Sequence, residues 1–300
     1  MKKAGSIKTN LTSVMLVGTF FSLWLAVYLE HSMEGLFAYV LIFTFGILHG
    51  ANDIKILQKI SKNTSKRTYR DILLSYIIVV IVGAIAFYFV PIAALLLFVI
   101  FSGYHFGEQH WASKSNKNGF LAKVFFLCYG LAILFLIFYT NFEEVLVIIE
   151  NLTGVILEKD IYKYSLLFVT AITCGLYLWL HFRKQIKANV VLELFFLFVF
   201  FIVFHTASLL WAFAIYFILW HSLPSMVDQI EFLYGTFTKK SFIKYLISSL
   251  IYWLISLVGL SMMYFLLRDQ GKLFLSVFFA FLAAITFPHV LVMTNINEDR

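Results

Sequence analysis

Polar residues along this chain are crowded into short intervals, and the stretches between them are apolar for close to twenty residues at a time. That is the length an α-helix needs to cross the hydrocarbon of a bilayer, about 20 residues at 1.5 Å each. The runs fall at approximately 11–29, 35–54, 71–90, 91–111, 120–140, 161–180, 188–206, 207–228, 242–267 and 272–294. They predict an all-α fold, a polytopic membrane helix bundle of about ten transmembrane helices. The whole of 1–300 is expected to form a single integral membrane domain, with 11–294 as its spanning region. Two pairs of runs abut, at Pro91 and around Thr206, so the pattern also admits eight or nine spans.

The polar intervals carry an orientation. If every run spans, Lys2, Lys3 and Lys8, the six basic residues from Lys55 to Arg70, Lys114/Lys117/Lys123, Arg183/Lys184/Lys187 and Lys239/Lys240/Lys244 share one side. The other side receives Glu30, Glu34 and the acidic set Glu143, Glu144, Glu150, Glu158 and Asp160. Lys and Arg mark the cytoplasmic face, so both termini are expected inside a bacterial-type inner membrane, crossed many times. The segment Asn141–Asp160 reads as a short amphipathic helix on the outer surface. Leu11–Leu29 is long enough to span and lacks a small-residue cleavage site, so it reads as the first helix rather than a signal peptide.

Composition agrees. With 62% hydrophobic residues, 13% charged and 35 phenylalanines, the chain has too little polar surface for water, and lipid is its solvent. The net charge of +7 is scattered through loops rather than gathered on one face, which argues for topology signals and against nucleic acid as a partner. Cys128 and Cys174 both sit in apolar runs and read as packing residues.

The candidate chemistry lies in the histidines. His31 and His181 fall in or beside loops, and His205 lies near the outer end of its run. His49, His105, His221 and His289 are different, because each lies on a run travelling from outside to inside. Each precedes its cytoplasmic end by roughly six to ten residues, about 9–15 Å. Four imidazoles in one layer of a membrane, where ionisable groups are costly, point to a common site. Imidazole binds iron, copper, zinc or nickel, and histidine alone does not choose among them. Helical spacing offers three of them a carboxylate on the same face: Asp53 for His49, Glu108 for His105 and Asp228 for His221, which would orient a ligating ring. Gly46, Gly50, Gly103 and Gly107 flank the histidines and suit close helix approach. The Phe-rich runs suit contact with lipid, or a tunnel for a long hydrocarbon.

At these residues the sequence resembles the Brp/Blh family of bacterial and archaeal β-carotene 15,15′-dioxygenases. "HGAND" (His49 to Asp53), "YHFGEQHW" (Tyr104 to Trp111), "AFAIYFILWHS" (Ala212 to Ser222) and "TFPHVLVM" (Thr286 to Met293) are similar to the family's motifs in order and spacing. The resemblance implies Fe(2+) held by histidines, and cleavage of the central double bond of β-carotene or a related carotenoid by O2 to give retinal. The substrate would reach the site from membrane lipid. Leu48 stands where the family has Pro, His110 where it has Asp, and Ser225 where a second His would follow His221 by one turn. The fourth ligand is then His289, His110 or water. His110 is five residues from His105, about 140° round a regular helix. His289 follows Pro288, which frees a backbone carbonyl beside it. The assignment taken is therefore His289 as ligand, with His110 behind the ligands or at a gate.

Other classes fit parts of the pattern. Intramembrane His and carboxylates, Glu193 among them, also mark transporters and proton relays. Paired histidines can hold a b-type haem. An opsin is disfavoured because no Lys lies mid-membrane in a late helix.

Overall fold

The structure, a computed structural model, describes residues 2–61, 65–115 and 119–298. Lys62 and Lys117, counted above among the cytoplasmic charges, lie outside them.

The described residues fold into helices α1 (Lys2–Tyr28), α2 (His31–Ile60), α3 (Lys66–Phe89), α4 (Pro91–Trp111), α5 (Phe120–Thr140), α6 (Phe142–Thr153) and α7 (Lys159–Phe182). They continue through α8 (Val190–Thr206), α9 (Leu209–Tyr234), α10 (Lys239–Leu267) and α11 (Gly271–Glu298). Nine among the described residues hold a stretch of 18 or more residues apolar enough to cross a membrane, and α8, of 17 residues, is a shorter apolar helix. Together they answer to the ten runs. Both abutting pairs are separate helices. α3 ends at Phe89 and α4 restarts with Pro91 in its first turn, where the missing N–H is not needed. α8 ends at Thr206 and α9 begins at Leu209. Asn141–Asp160 forms the amphipathic α6, whose buried residues are Val145 and Ile148 and whose Glu143, Glu144 and Glu150 are exposed.

Helix ends follow local chemistry. The Ser65 hydroxyl accepts from Thr68 N, the Asn189 side chain from Val191 N and Leu192 N, and Thr238 and Ser241 form a capping box on α10. Gly154, at φ 71°, closes α6 in the left-handed conformation that glycine adopts freely.

The lipid-facing helices surround a central one. Of the spanning stretch in α9, 72% is buried, against 6% in α10 and 11% in each of α3 and α7. The exposed Val, Ile, Leu and Phe of those outer helices meet hydrocarbon and need no other cover. α8 divides its phenylalanines: Phe196, Phe200 and Phe204 are buried, whereas Phe195, Phe198 and Phe201 are exposed. The tightest pair is α4 with α5. A Cβ on Gly107 would stand 1.8 Å from the Phe126 carbonyl oxygen, and one on Gly130 1.8 Å from that of Gly103. Only glycine fits these positions, and the close approach they permit fixes α4, which carries His105.

Candidate metal centre

Two of the histidine-bearing helices are irregular where the histidines sit. In α2 the residues Ile42–Gly46 form a π-turn, helix resumes through Gly50, and Ala51–Asn52 interrupt it before Asp53. In α9 a second π-segment, Tyr216–Ser222, contains His221. Such bulges rotate the following side chains relative to a regular helix and recur at functional sites. Neither is legible in the hydrophobic pattern. The break in α2 is held by α10: Asn52 Nδ2 donates to the Tyr245 carbonyl at 3.1 Å, and the fully buried Tyr245 hydroxyl lies 3.2 Å from the His49 carbonyl oxygen and 2.8 Å from Gln229 Oε1. α11 carries His289 through its internal Pro288 without ending.

The four histidines of the predicted layer meet. Ring centroids run His49 to His289 4.7 Å, His289 to His105 5.2 Å, His105 to His221 4.6 Å and His221 to His49 5.2 Å, with neighbouring planes 74° to 89° apart. All four are buried, between 1% and 5% exposed. His49 Nε2, both nitrogens of His105, His221 Nδ1 and His289 Nε2 are buried with no hydrogen-bond partner. Leaving five such atoms unsatisfied is costly, and nearly all buried polar atoms in proteins avoid it.

A metal ion among the rings would remove that cost. The ligand atoms of His49, His221 and His289 all lie within 4.8 Å of one another. Two nitrogens bound to one ion at about 2.1 Å are at most about 4.2 Å apart, so the trio closes on an ion with a small inward shift. His105, in ring contact with His221 and His289, borders the same centre. Two of the four rings are oriented from behind. His49 Nδ1 donates to the Gly46 carbonyl, which presents Nε2 inward. His289 Nδ1 donates to Asp53, 3.0 Å from Oδ1 and 2.9 Å from Oδ2, and Tyr76 donates to the same carboxylate at 2.9 Å. The donor set therefore fits a metal.

The carboxylate pairings expected from helical spacing are corrected. Asp53 serves His289 across the helix interface rather than His49 one turn away, because the break at Ala51–Asn52 intervenes. Glu108 accepts from Tyr104, one turn back on α4, at 2.9 Å rather than from His105. Asp228 accepts from Gln109 Nε2 at 2.8 Å and thereby ties α9 to α4 rather than orienting His221. His110 points to α8: its Nε2 lies 2.7 Å from Glu193 and 2.9 Å from Lys114 Nζ, and Lys114 reaches Glu193 at 2.6 Å. This closed cluster engages the carboxylate that a proton path would need. Ser225, fully buried, accepts from Gln229. Sequence reasoning missed Tyr76, Tyr245 and the Gly46 carbonyl. A tyrosine in an apolar run gives no sign of the distant partner it will meet.

A family model described as β-carotene 15,15′-dioxygenase matches residues 40–297. The chain belongs to that family. The match takes in all four histidines, both π-segments and Asp53. No curated protein and no solved structure matches the chain.

Proposed function

We propose that this membrane protein is an iron(II)-dependent dioxygenase that splits the central double bond of β-carotene, or a related carotenoid, into two molecules of retinal. The observation that carries the reading is the ring of four buried histidines, five of whose nitrogens lack a partner, in a chain of this family. The reaction balances without another reductant: one C=C bond and the O–O bond break, and each oxygen atom becomes one aldehyde carbonyl. Iron held by His49, His105, His221 and His289 would supply O2 activation next to the alkene.

The chain's own residues do the rest. Gly46 and Asp53 hold two rings in a fixed tautomer and direction, so that the ligand nitrogens are set before an ion arrives. Phe106 and Phe217, in ring contact with His221, cover the centre with apolar surface that excludes water and suits a polyene. Both termini face the cytoplasm, and substrate arrives laterally from lipid.

Expression in cells that accumulate β-carotene tests this directly. Retinal should form in proportion to the protein's iron content, and purified protein should consume O2. A preparation that carries stoichiometric iron yet yields no retinoid and takes up no O2 would refute the proposal.

A further inference from the structure

Beside the four rings lies an apolar cavity of about 90 Å³, walled by residues of α3, α4, α5, α6, α9 and α11. Its lining follows α4 from Leu95 to Phe106, a rise of about 16 Å. One end is fixed at the histidines. The Phe106 ring is 4.8 Å from that of His221, and Phe213 stacks on Phe217 at 5.2 Å, which in turn stacks on His221 at 5.6 Å. The wall also includes the two buried residues of the amphipathic helix α6, Val145 and Ile148. Among the lining side chains Ser102 alone is polar, one turn before His105, and its buried Oγ has no partner.

We propose, on the basis of the dioxygenase reading above, that this cavity receives one arm of the carotenoid, laid along α4 with its reacting carbons at the histidines, and that α6 sets how bulky an arm is admitted. A wall of Leu, Ile, Val and Phe offers nothing to a polar ligand, whereas a conjugated hydrocarbon loses no hydrogen bonds on entering and little conformational freedom. The free volume is below the ~300–1,000 Å³ of ordinary small-molecule sites, so the arm displaces part of the wall. That displacement falls to α6, the one lining helix too short to span a membrane. Of its 12 residues Val145 and Ile148 are buried, and it is bounded by Asn141 and by the left-handed Gly154. The other walls are parts of membrane-spanning helices.

The test is anaerobic titration of the purified, iron-loaded protein with β-carotene in detergent, followed by the shift of the polyene absorbance on binding; without O2 no cleavage intervenes. Ile148→Trp and Val145→Trp, which fill the cavity, should weaken binding about tenfold or more with iron content unchanged. Ile148→Ala should bind as well as or better than the parent, and the lipid-facing Val258→Trp, at a position 68% exposed, should change nothing. Equal affinity in the parent and both filled variants overturns the assignment, as does a parent that does not bind. Admitting O2 afterwards separates the two readings. Binding that follows this pattern without any retinal keeps the cavity assignment and removes the dioxygenase, whereas undiminished retinal formation by the filled variants does the reverse.

Discussion

The Asp53 carboxylate receives His289 Nδ1 with both oxygens, at 3.0 and 2.9 Å, across the interface between the second helix and the last. The bond orients a ring whose other nitrogen has no protein partner, and it joins elements 236 residues apart in sequence. Asp53→Ala should lower iron affinity about 10–100-fold, the usual cost of removing a partner behind a metal-bound histidine. Asp53→Asn, whose amide oxygen still accepts, should lose less, and Tyr76→Phe less again. Competition with a graded series of iron chelators measures all three, and the order of the variants is the expectation.

His289 and His110 separate cleanly. His289→Ala removes a buried nitrogen from the centre, as do His49→Ala, His105→Ala and His221→Ala, and each should leave purified protein with strongly reduced iron. His110→Ala removes a residue engaged with Glu193 and Lys114 and should keep its iron, with a modest loss of thermal stability. Metal analysis of the detergent-purified variants decides it. Loss of iron from His110→Ala alongside retention in His289→Ala would reverse the assignment.

The sequence carried more of the site than of its supports. The four histidines could be found because each lies at a similar distance from a charged helix end, and depth in a membrane survives small errors in helix boundaries. Their partners could not be found in that way. Pairing by i,i+4 spacing presumes an unbroken helix, and α2 breaks at Ala51–Asn52, which turns Asp53 toward α11. Gln109 takes Asp228 from the neighbouring helix, a contact that depends on how α4 and α9 pack. Hydropathy barely dips at Pro91 and Thr206 and left eight, nine or ten spans open there; the separate helices, ending at Phe89 and Thr206, are a finding of the structure. The apolar cavity left no trace in hydropathy, since lipid-facing and cavity-facing phenylalanines have the same composition.

Restoring a histidine at Ser225 should not create a ligand. Ser225 is fully buried, and Gln229 Nε2 donates to its hydroxyl at 3.1 Å while Gln229 Oε1 accepts from Tyr245. Ser225→His forces a larger ring into that network, and overpacking of this kind costs about 1–3 kcal/mol. A lower melting temperature and unchanged iron stoichiometry are expected. A rise in both iron and activity would instead mean that the natural centre has a vacant fourth position.

Gly107 should be intolerant of any side chain. A Cβ there meets the Phe126 carbonyl oxygen at 1.8 Å, so Gly107→Ala must push α4 away from α5 and carry His105 with it. Destabilisation of at least ~1–3 kcal/mol and partial loss of iron should appear together. Gly175→Ala is the control, because nothing lies within 4 Å of a Cβ built there. It should be neutral or slightly stabilising, by up to about 1 kcal/mol.

The last prediction concerns which way the bundle faces. The Lys and Arg residues of Lys55–Arg70 and of the loops after α4, α7 and α9 lie on one side if every helix but α6 spans, and α6 with its exposed Glu143 lies on the other. An excess of Lys and Arg is retained in the cytoplasm during insertion, so α6 should face outward. A single cysteine at Glu143, in a chain whose own Cys128 and Cys174 are replaced, should react in intact spheroplasts with a reagent that cannot cross the membrane. A cysteine at Lys59, on the opposite side, should react only after lysis. Labelling in the reverse order would invert the bundle, which would leave the ring contacts among the histidines untouched but move their layer from the cytoplasmic to the outer half of the membrane.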